Sequence, residues 1–505
     1  MGKNWDVETD VLVIGYGLAG GVAAVVARDA GCDVLVIEKG EYAGGCSIFA
    51  GGAVKCVSDA AGAFEYLKAL SGGRMEDELI RVFADTLAEN ESFMRQLATI
   101  NGGEVKRIPG NEGVYPFPGR EAFYVARIAR IPGFTGYSWL RCFLKPAGVN
   151  LMKTIFDNVE NRGVQVRLST PARRLETDGA GAVIGAIAEA DGREIAIRAR
   201  RAVILATGGF EQSEWFQKQY LQGIPFYSMA PLTQTGDGIA MAQKVGAALW
   251  HMWHIHGAYG FKFDHSPLAY RHPFPGYRNP KRKMPWIVVD KFGSRYMNEY
   301  PPAPQDMGHR PMEIFDPDLP GYPRIPSYIV FDEEGRKFEP IAKPLAFPGY
   351  EYEWSEDNSA EIEKGWILRA DSLAELATAI KERRPKNEGW MDAERLEATV
   401  REWNGIVETG KDPLYRPPGT MMRIGKPPFY AVEVWPIITN TQGGPVHNAK
   451  QQVVDSFGEV ISRLYAVGEL GSFFGHVYEL GGNLGECLTS GRIAGKHAAA
   501  ESPLG

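Results

Sequence analysis

The chain has 505 residues, a formal net charge of −7 and a hydrophobic share of 44 %, which is typical of an ordinary globular protein with two or three domains. The net negative charge argues against nucleic acid or an anionic membrane as partner. No apolar run is long enough for a transmembrane helix, and the first residues lack a signal-peptide core. We therefore expect a cytoplasmic protein without a membrane span.

Cysteine and histidine give no clear sign of a metal site. The five cysteines show neither a C-x-x-C pair nor a zinc-ligand spacing, and we expect most of them to be small buried residues. The run His251-x-x-His254-x-His256 matches neither of the usual helical ligand spacings. Its tryptophan neighbours favour packing or a pocket wall, so we expect no metal.

The first strong motif begins at residue 11. Residues 11–14 form an apolar run typical of a buried strand, and a G-x-G-x-x-G turn follows, made by Gly15, Gly17 and Gly20. Residues 22–30 continue as a helix, and a second apolar run ends at Glu38. The glycines allow a tight turn and a close approach to a pyrophosphate, and the acid accepts a bond from a ribose. The pattern predicts dinucleotide binding and by itself leaves NAD and FAD open.

The next stretch alternates between regular and irregular patterns. A glycine-dense loop over 44–52 suggests backbone pressed against a ligand. Residues 74–99 predict one amphipathic helix, and residues 101–148 predict an irregular, aromatic pocket wall.

Two later segments repeat the opening pattern. Residues 182–202 predict a β-meander with a hairpin at Asp191-Gly192, and residues 203–209 predict a buried strand with a glycine turn beside the first motif. Gly236-Asp237-Gly238 opens a further helix.

The composition shifts near Trp250 to a proline-rich, aromatic segment with helices at 373–383 and 393–408. After about residue 430 the chain turns regular again and ends in a helix over 481–500. We therefore predict a nucleotide-binding domain from residues 1–250 and 431–505, interrupted by a cap or substrate domain over 251–430.

The motifs in this order resemble the flavoproteins of the fumarate reductase and succinate dehydrogenase group. They are the opening glycine turn, Gly44-Gly45, ATGG at 206–209, GDG at 236–238, LEATVREWNGIVETGKDPLY, PPFYAVEVWP, NTQGGPVHN, LYAVGE and GGNLGECLTSGRIAG. The resemblance implies an α/β fold: a doubly wound FAD-binding domain, Rossmann-like and of the glutathione reductase type, with an inserted α+β cap.

The resemblance also implies a set of FAD-binding positions in this chain. They are Gly15, Gly17, Leu18, Ala19, Gly20, Glu38, Lys39, Gly45, Cys46, Ser47, Gly51, Gly52, Ala172, Ala206, Thr207, Gly208, Asp237, Glu469, Asn483 and Leu484. Members with covalent flavin carry a histidine in the loop after Gly44-Gly45, where this chain has Cys46 and Ser47. We therefore expect noncovalent FAD.

The chain departs from the fumarate-reducing pattern at three positions. No arginine closely follows Asn298-Glu299, Asn440 stands where those members carry a histidine, and Glu479 stands where they carry an arginine. A dicarboxylate needs such a cationic clamp, and an acid in place of a clamp arginine would repel it. The resemblance therefore argues against fumarate or succinate as substrate.

The segment Gly475-His476-Val477-Tyr478 followed by Gly481-Gly482 resembles the ketosteroid dehydrogenase branch of the same superfamily. There, a tyrosine and a glycine amide four residues later bond the ketone oxygen. The resemblance implies these roles for Tyr478 and Gly482, because a phenol and a backbone N–H polarise a carbonyl and stabilise an enolate.

The general base is not fixed by the sequence. The branch carries a tyrosine base at what would be Ala303 here. Tyr300 is the nearest substitute, and Tyr137 or Tyr124 could serve; for each of them, simple packing is an equal alternative. A phenol with a pKa near 10 also needs help to act as a base near neutral pH.

These observations favour an FAD enzyme that inserts or reduces a carbon–carbon double bond beside the ketone of a small apolar cyclic substrate, such as a steroid. The alternatives are a reductase of an unsaturated carboxylate using Arg271, Arg278 or Arg295, a non-catalytic flavin-binding protein, and a NAD enzyme. The chain lacks iron–sulfur and c-type haem motifs. Electrons would therefore pass to or from a diffusible acceptor.

Overall fold

The computed structural model describes residues 4–110, 112–140, 147–272, 282–301, 304–345, 347–384 and 390–505. Predictions made for Cys142, Arg278 and Ala303 lie outside the described residues.

The described strands follow one another along the whole chain. In order they are β1 (Val7–Ile14), β2 (Val34–Ile37), β3 (Val54–Val57), β4 (Glu104–Ile108), β5 (Phe123–Arg130), β6 (Gln165–Arg167), β7 (Ala172–Thr177), β8 (Val183–Ala190), β9 (Arg193–Leu205), β10 (Tyr227–Ser228), β11 (Leu249–Trp250), β12 (Ile255–Phe261), β13 (Tyr270–Arg271), β14 (Ile287–Val289), β15 (Ser327–Asp332), β16 (Leu368–Ala370), β17 (Phe429–Thr441), β18 (Gly444–Pro445), β19 (Gln452–Val454) and β20 (Val460–Ala466).

The described α-helices are interspersed with these strands. They are α1 (Leu18–Asp29), α2 (Ala60–Ser71), α3 (Asp77–Ala88), α4 (Asn90–Ala98), α5 (Ala147–Asn161), α6 (Glu214–Tyr220), α7 (Asp237–Lys244), α8 (Pro304–Met307), α9 (Glu333–Phe338), α10 (Ser359–Glu363), α11 (Leu373–Glu382), α12 (Ala393–Thr409) and α13 (Gly482–Ala500). Short 3-10 turns lie at Gly45–Phe49, Arg120–Ala122, Arg310–Met312 and Pro418–Thr420.

The chain divides into two compact units. The first comprises Met1–Phe216, Pro231–Ile255 and Asn440–Gly505, and the second comprises Gln217–Ala230 and His256–Thr439. The boundaries that we predict at residues 250 and 430 lie five and nine residues from Ile255 and Thr439. No sequence pattern indicated that Gln217–Ala230 belongs to the second unit. The assignment of that unit as a cap or substrate domain stays a prediction.

The first unit is built on a sheet in the order β19-β20-β9-β1-β2-β6, with β8 paired to β9 and β7 paired to β8. Strand β1 pairs in parallel with both β2 and β9, so that Ile14 lies between Ile37 and Leu205. Residues 11–14 of β1 are apolar and buried on both faces, because parallel strands are covered on both sides. This arrangement confirms the predicted α/β class and places 203–205 beside the opening strand.

Helices α1 and α13 pack together at glycines of α13. A Cβ at Gly491 would come within 2.7 Å of the Ala19 carbonyl oxygen, and one at Gly495 would come equally close to Ala23. Only glycine permits this separation of two helices.

The predicted helix over 74–99 is wrong as a single element. It breaks at Glu89 into α3 and α4, and the first residue of α4 is a fully buried asparagine. The Asn90 carboxamide donates to the carbonyl oxygens of Lys55 and Gly485, at 3.1 and 3.0 Å. These two bonds draw Asn90 inward, which a straight amphipathic helix does not allow.

The prediction that 101–148 is irregular is wrong in part. Strands β4 and β5 lie within it and form an antiparallel sheet with β3, in the order β3-β5-β4. Glycine and proline in the flanking loops hid a short alternating pattern.

The second unit contains a separate, mainly antiparallel sheet in the order β13-β12-β17-β15-β14, with β10 and β16 also paired to β17. An aromatic core lies on this sheet and includes Trp286, Tyr259, Tyr270 and Trp354. Helices α11 and α12 begin where the sequence predicts; the Ser372 hydroxyl accepts the Glu375 N–H at the start of α11.

A buried charge network also lies in the second unit. The Glu299 carboxylate accepts bonds from Arg295 at 2.7 Å and Arg416 at 3.3 Å, and Arg295 also bonds Asp412 at 2.8 Å. Burial raises the pKa of Glu299, but the two guanidinium groups outweigh it and hold that pKa below 4.5.

Among the described residues, no helix has both the length and the apolar character needed to cross a membrane.

Glu299→Gln is expected to lower the free energy of unfolding by about 3 kcal/mol, because it leaves buried guanidinium groups without their counter-charge. The contribution of Glu299 is present above the pKa of the unfolded carboxyl and is lost as pH falls through the lower folded pKa. Denaturant unfolding at pH 7 and pH 3.5 measures both. Glu334→Gln, in an exposed pair with Lys426, is the control and should cost less than about 0.5 kcal/mol. Equal losses for the two variants would contradict the prediction.

Candidate functional site

The glycine turn after β1 is built by close backbone contacts. A Cβ at Gly15 would overlap the carbonyl oxygen of Ala206, and one at Gly20 would overlap that of Gly15. Gly15 also has φ +107°, a left-handed value that glycine adopts easily. Gly17, by contrast, has no atom within 3.8 Å of its would-be Cβ. This open side of the turn leads to the N-terminus of α1, which favours negative charge.

A cavity that is partly open to solvent lies at this turn, with about 840 Å³ of space not occupied by protein atoms. Fifteen of the residues that we predict for FAD line it: Gly15, Gly17, Leu18, Ala19, Glu38, Lys39, Gly45, Cys46, Ser47, Ala172, Ala206, Thr207, Gly208, Asp237 and Glu469. Five others are not among its lining residues: Gly20, Gly51, Gly52, Asn483 and Leu484. Gly20 instead lies beneath the turn, against Gly15.

The Glu38 carboxylate is held at the end of β2. One oxygen accepts the Tyr16 N–H and the other accepts the Gly40 N–H, both at 2.8 Å. Lys39 bonds Asp237 at 2.7 Å and Thr235 at 2.6 Å. The acid is therefore oriented at the cavity wall, where it can accept a ribose hydroxyl.

Two buried polar atoms of the cavity wall have no hydrogen-bond partner among the described residues. They are Thr207 Oγ1 and Gln234 Oε1. Buried polar groups are normally paired, so such atoms fit a polar cofactor bound against them. With the glycine turn and Glu38, they make the residues present suitable for FAD.

The sequence did not identify several residues that line the cavity: Gln234, Tyr42, Thr170, Thr233, Met241 and Cys487. The polar run Thr233-Gln234-Thr235 directly precedes the GDG motif and could have been included with it.

Two buried carboxyl groups meet beside Cys46. The oxygens of Glu211 and Glu469 both accept the Thr441 N–H, at 2.9 and 3.0 Å. Burial raises the pKa of both groups, and their mutual repulsion raises that of Glu469 further. The pair therefore holds a proton at neutral pH.

The same environment keeps the thiol of Cys46 neutral. Burial and the nearby Glu469 raise the pKa of Cys46 well above its usual range. A neutral thiol is a poor nucleophile and a poor metal ligand. Although its sulfur and the two carboxyl groups lie within 4.8 Å of one another, their protonation disfavours a metal. Noncovalent FAD stays a prediction that this chemistry supports.

The predicted ketone-binding residues lie in the turn that starts α13. The Tyr478 hydroxyl accepts the Gly481 N–H at 3.2 Å, and the side chain is 7 % exposed. The Gly482 N–H donates to the Glu479 carbonyl at 2.7 Å. The structure thus brings Tyr478 and Gly482 into one turn, but the amide beside the phenol is that of Gly481. The role of the Gly482 amide stays a prediction.

Histidines secure the segment before this turn. His254 Nδ1 lies 2.8 Å from the Phe474 carbonyl and His447 Nε2 lies 2.9 Å from that of Gly471. Burial lowers the pKa of His251 to about 3, so that ring is neutral. His254 and His447 therefore hold the backbone at Phe474 and Gly471.

The three tyrosines that are candidates for the general base have different surroundings. Tyr137 lies among aromatic rings, with Trp139 at 5.7 Å, and burial raises its pKa to about 12. Tyr124 donates to Glu91 at 2.8 Å, and burial with that bond raises its pKa. Tyr300 is 6 % exposed in the aromatic core of the second unit. Each phenol loses a proton less readily when buried, so the base stays a prediction.

The structure also gives the positions of two arginines that could bind the substrate under the carboxylate alternative. Arg295 is bonded to Glu299 and Asp412 in the buried network, which occupies it. Arg271 ends β13 of the second unit.

Gly17→Ala tests the cofactor cradle. The added methyl group has room in the folded chain, but it fills the open side of the turn where a pyrophosphate would approach. We expect unchanged thermal unfolding of the apoprotein and an FAD dissociation constant raised at least tenfold. Flavin fluorescence titration of apoprotein measures this. Gly179→Ala, at a position with no neighbouring atom within 4 Å of the added Cβ, is the control; equal FAD affinity in both variants would contradict the prediction.

Comparison with known proteins agrees with this site. The chain is 28 % identical to the 3-oxosteroid 1-dehydrogenase of Mycobacterium tuberculosis, over 97 % of this chain and 98 % of that protein. It is 25 % identical to the probable fumarate reductase Ifc3 of Shewanella frigidimarina, over 97 % of this chain and 75 % of that protein. These relatives confirm the resemblance that the motifs indicated.

A solved structure shows the same fold. The 3-ketosteroid delta1-dehydrogenase of Sterolibacterium denitrificans, in complex with 1,4-androstadiene-3,17-dione, superposes with a TM-score of 0.81. The two chains are 23 % identical, with 98 % of this chain and 99 % of that chain covered. Residues 10–484 match the model of the FAD-binding domain family. The chain therefore belongs to that family and is an FAD-dependent oxidoreductase.

Proposed function

We propose that the protein catalyses α,β-dehydrogenation of an apolar cyclic ketone such as a 3-ketosteroid, or the reverse reduction of the double bond. The observation that carries this proposal is the buried phenol of Tyr478 in the turn at the N-terminus of α13. Its support is the chain's 28 % identity to a 3-oxosteroid 1-dehydrogenase over nearly its whole length.

The Tyr478 hydroxyl would donate to the ketone oxygen. Because this hydroxyl already accepts the Gly481 N–H, its own donated bond is strengthened by cooperativity. The N-terminus of α13 adds a positive partial charge where enolate charge develops. Together these groups lower the cost of removing a proton from the carbon beside the ketone.

A phenol base would take that proton, and Tyr300 and Tyr137 remain the candidates. FAD supplies the hydride acceptor when it is bound. The proton goes to the base and the hydride leaves the neighbouring carbon, so that a carbon–carbon double bond forms. We further propose that the electrons leave through a diffusible acceptor.

The second candidate is a reductase of an unsaturated carboxylate, supported by the identity to a probable fumarate reductase. Such a substrate needs guanidinium groups free to grip its carboxylate. Arg295 already bonds two carboxylates. Glu479 stands at the position where, by the resemblance, the fumarate-reducing members carry an arginine. These contacts favour the ketone.

Tyr478→Phe is expected to lower kcat for a cyclic ketone by about 100-fold to 1,000-fold, because it removes one donor to the developing oxyanion. FAD binding should be unchanged. Steady-state rates with an artificial electron acceptor measure the loss. Tyr415→Phe, at a position 86 % exposed, is the control. An unchanged rate in Tyr478→Phe would contradict the proposed role of the Tyr478 hydroxyl.

A further inference from the structure

A buried ionic cluster lies directly behind the turn that carries Tyr478. Lys55 Nζ lies 2.6 Å from Glu479 Oε1, and the two side chains are 1 % and 0 % exposed. The Tyr66 hydroxyl donates to the other oxygen of the same carboxylate. We name these three residues, Lys55, Tyr66 and Glu479, the back cluster.

Backbone groups complete the coordination of the back cluster. The Val114 N–H donates to Glu479 Oε2 at 3.0 Å, and the Tyr115 N–H donates to the Tyr66 hydroxyl at 3.0 Å. The Lys55 ammonium donates to the Glu112 carbonyl at 3.2 Å. Each charge therefore has several partners, and buried charges need such pairing to be tolerated.

The cluster is tied to the turn through main-chain bonds as well. The Lys55 N–H donates to the Gly481 carbonyl at 3.1 Å, and the Glu479 carbonyl accepts the Gly482 N–H at 2.7 Å. Asn90 links the Lys55 and Gly485 carbonyl oxygens. Strand β3 is thus bonded to the turn that follows Tyr478 and, through Asn90, to the first turn of α13.

The orientation of Glu479 has a chemical consequence. At the position where fumarate-reducing relatives carry an arginine, this chain places an acid whose charge is balanced internally by Lys55. The sequence alone had suggested that Glu479 acts by repelling a dianion. Because its carboxylate is paired, such repulsion is not its main effect. Its contacts instead fix the backbone on which Tyr478 stands.

We propose that Lys55, Glu479 and Tyr66 are positioning residues, which hold the Tyr478 phenol and the N-terminus of α13 in place for a ketone oxygen. The catalytic part of this inference rests on the proposed function. The part that concerns the rigidity of the turn does not.

The experiment uses the FAD-loaded protein and two variants, Glu479→Gln and Tyr66→Phe. Matched controls are Glu501→Gln and Tyr465→Phe, which break a similar tyrosine–carboxylate bond of 2.8 Å just beyond the other end of α13. Hydrogen–deuterium exchange of the 478–485 amides reports the turn, and kcat and KM for a cyclic ketone report the chemistry.

We expect exchange over 478–485 to be at least tenfold faster in Glu479→Gln and unchanged in the controls. We expect kcat to fall at least tenfold with KM changed less than threefold, because the misplaced phenol acts mainly in the transition state. Tyr66→Phe keeps the ion pair between Lys55 and Glu479, so we expect smaller changes of the same kind in exchange and in kcat. It keeps the test decisive if Glu479→Gln does not fold.

The proposal would be overturned if both variants showed the same exchange rates and the same kcat as the wild-type protein. Faster exchange spread evenly over the first unit, with kcat per bound FAD unchanged, would overturn it too, since it shows a role in stability alone. If the wild-type protein turns over no cyclic ketone, the proposed function fails, and the exchange measurement alone then decides whether the back cluster holds the turn.

Discussion

The structure of the first unit depends on the close approach of backbone to backbone at the end of β1. Gly15 lies against the Ala206 carbonyl, and Gly20 lies against Gly15, so neither position has room for a side chain. This approach is what lets β1 and β9 end side by side while α1 starts immediately after the turn. The cavity lined by Gly17, Glu38 and Thr207 follows from it.

Helix α13 joins this cavity to the proposed reactive end of the site. Cys487, on its second turn, lines the cavity, and the Ser490 hydroxyl accepts the Gly468 N–H beside Glu469. At its first turn the helix carries the Tyr478–Gly482 segment. One rigid element thus supports both the cofactor cradle and the proposed ketone-binding phenol, and sites built on rigid elements are positioned more closely than sites on loops.

Local patterns in the sequence were enough to predict a dinucleotide-binding turn, because the glycine spacing, the apolar runs and Glu38 follow from the covalent order of a strand–turn–helix–strand unit. The twenty FAD positions came from the family resemblance, and fifteen of them line one cavity. Features that depend on distant partners were not accessible. The inward turn of Asn90 needs the Lys55 and Gly485 carbonyl oxygens, and no pattern within residues 74–99 signals it.

The back cluster shows the same limit for function. Glu479 was visible only as an acid in place of an arginine, which suggested repulsion of anions. Its pairing with Lys55 and Tyr66 joins residues more than 400 positions apart, and pairing reverses that interpretation because the charge is balanced. Likewise, the sequence left simple packing as an equal alternative for Tyr300 and for Tyr137, and their aromatic surroundings became known only with the fold.

The most direct test of the account is anaerobic mixing of the FAD-loaded protein with a saturated 3-ketosteroid, a simple cyclic ketone and succinate, followed by flavin absorbance. The reverse direction uses chemically reduced protein and the matching unsaturated ketone. The account predicts loss of oxidised-flavin absorbance with a cyclic ketone, or its return with the unsaturated ketone, and no change with succinate. Flavin that responds to succinate and to none of the ketones would contradict it.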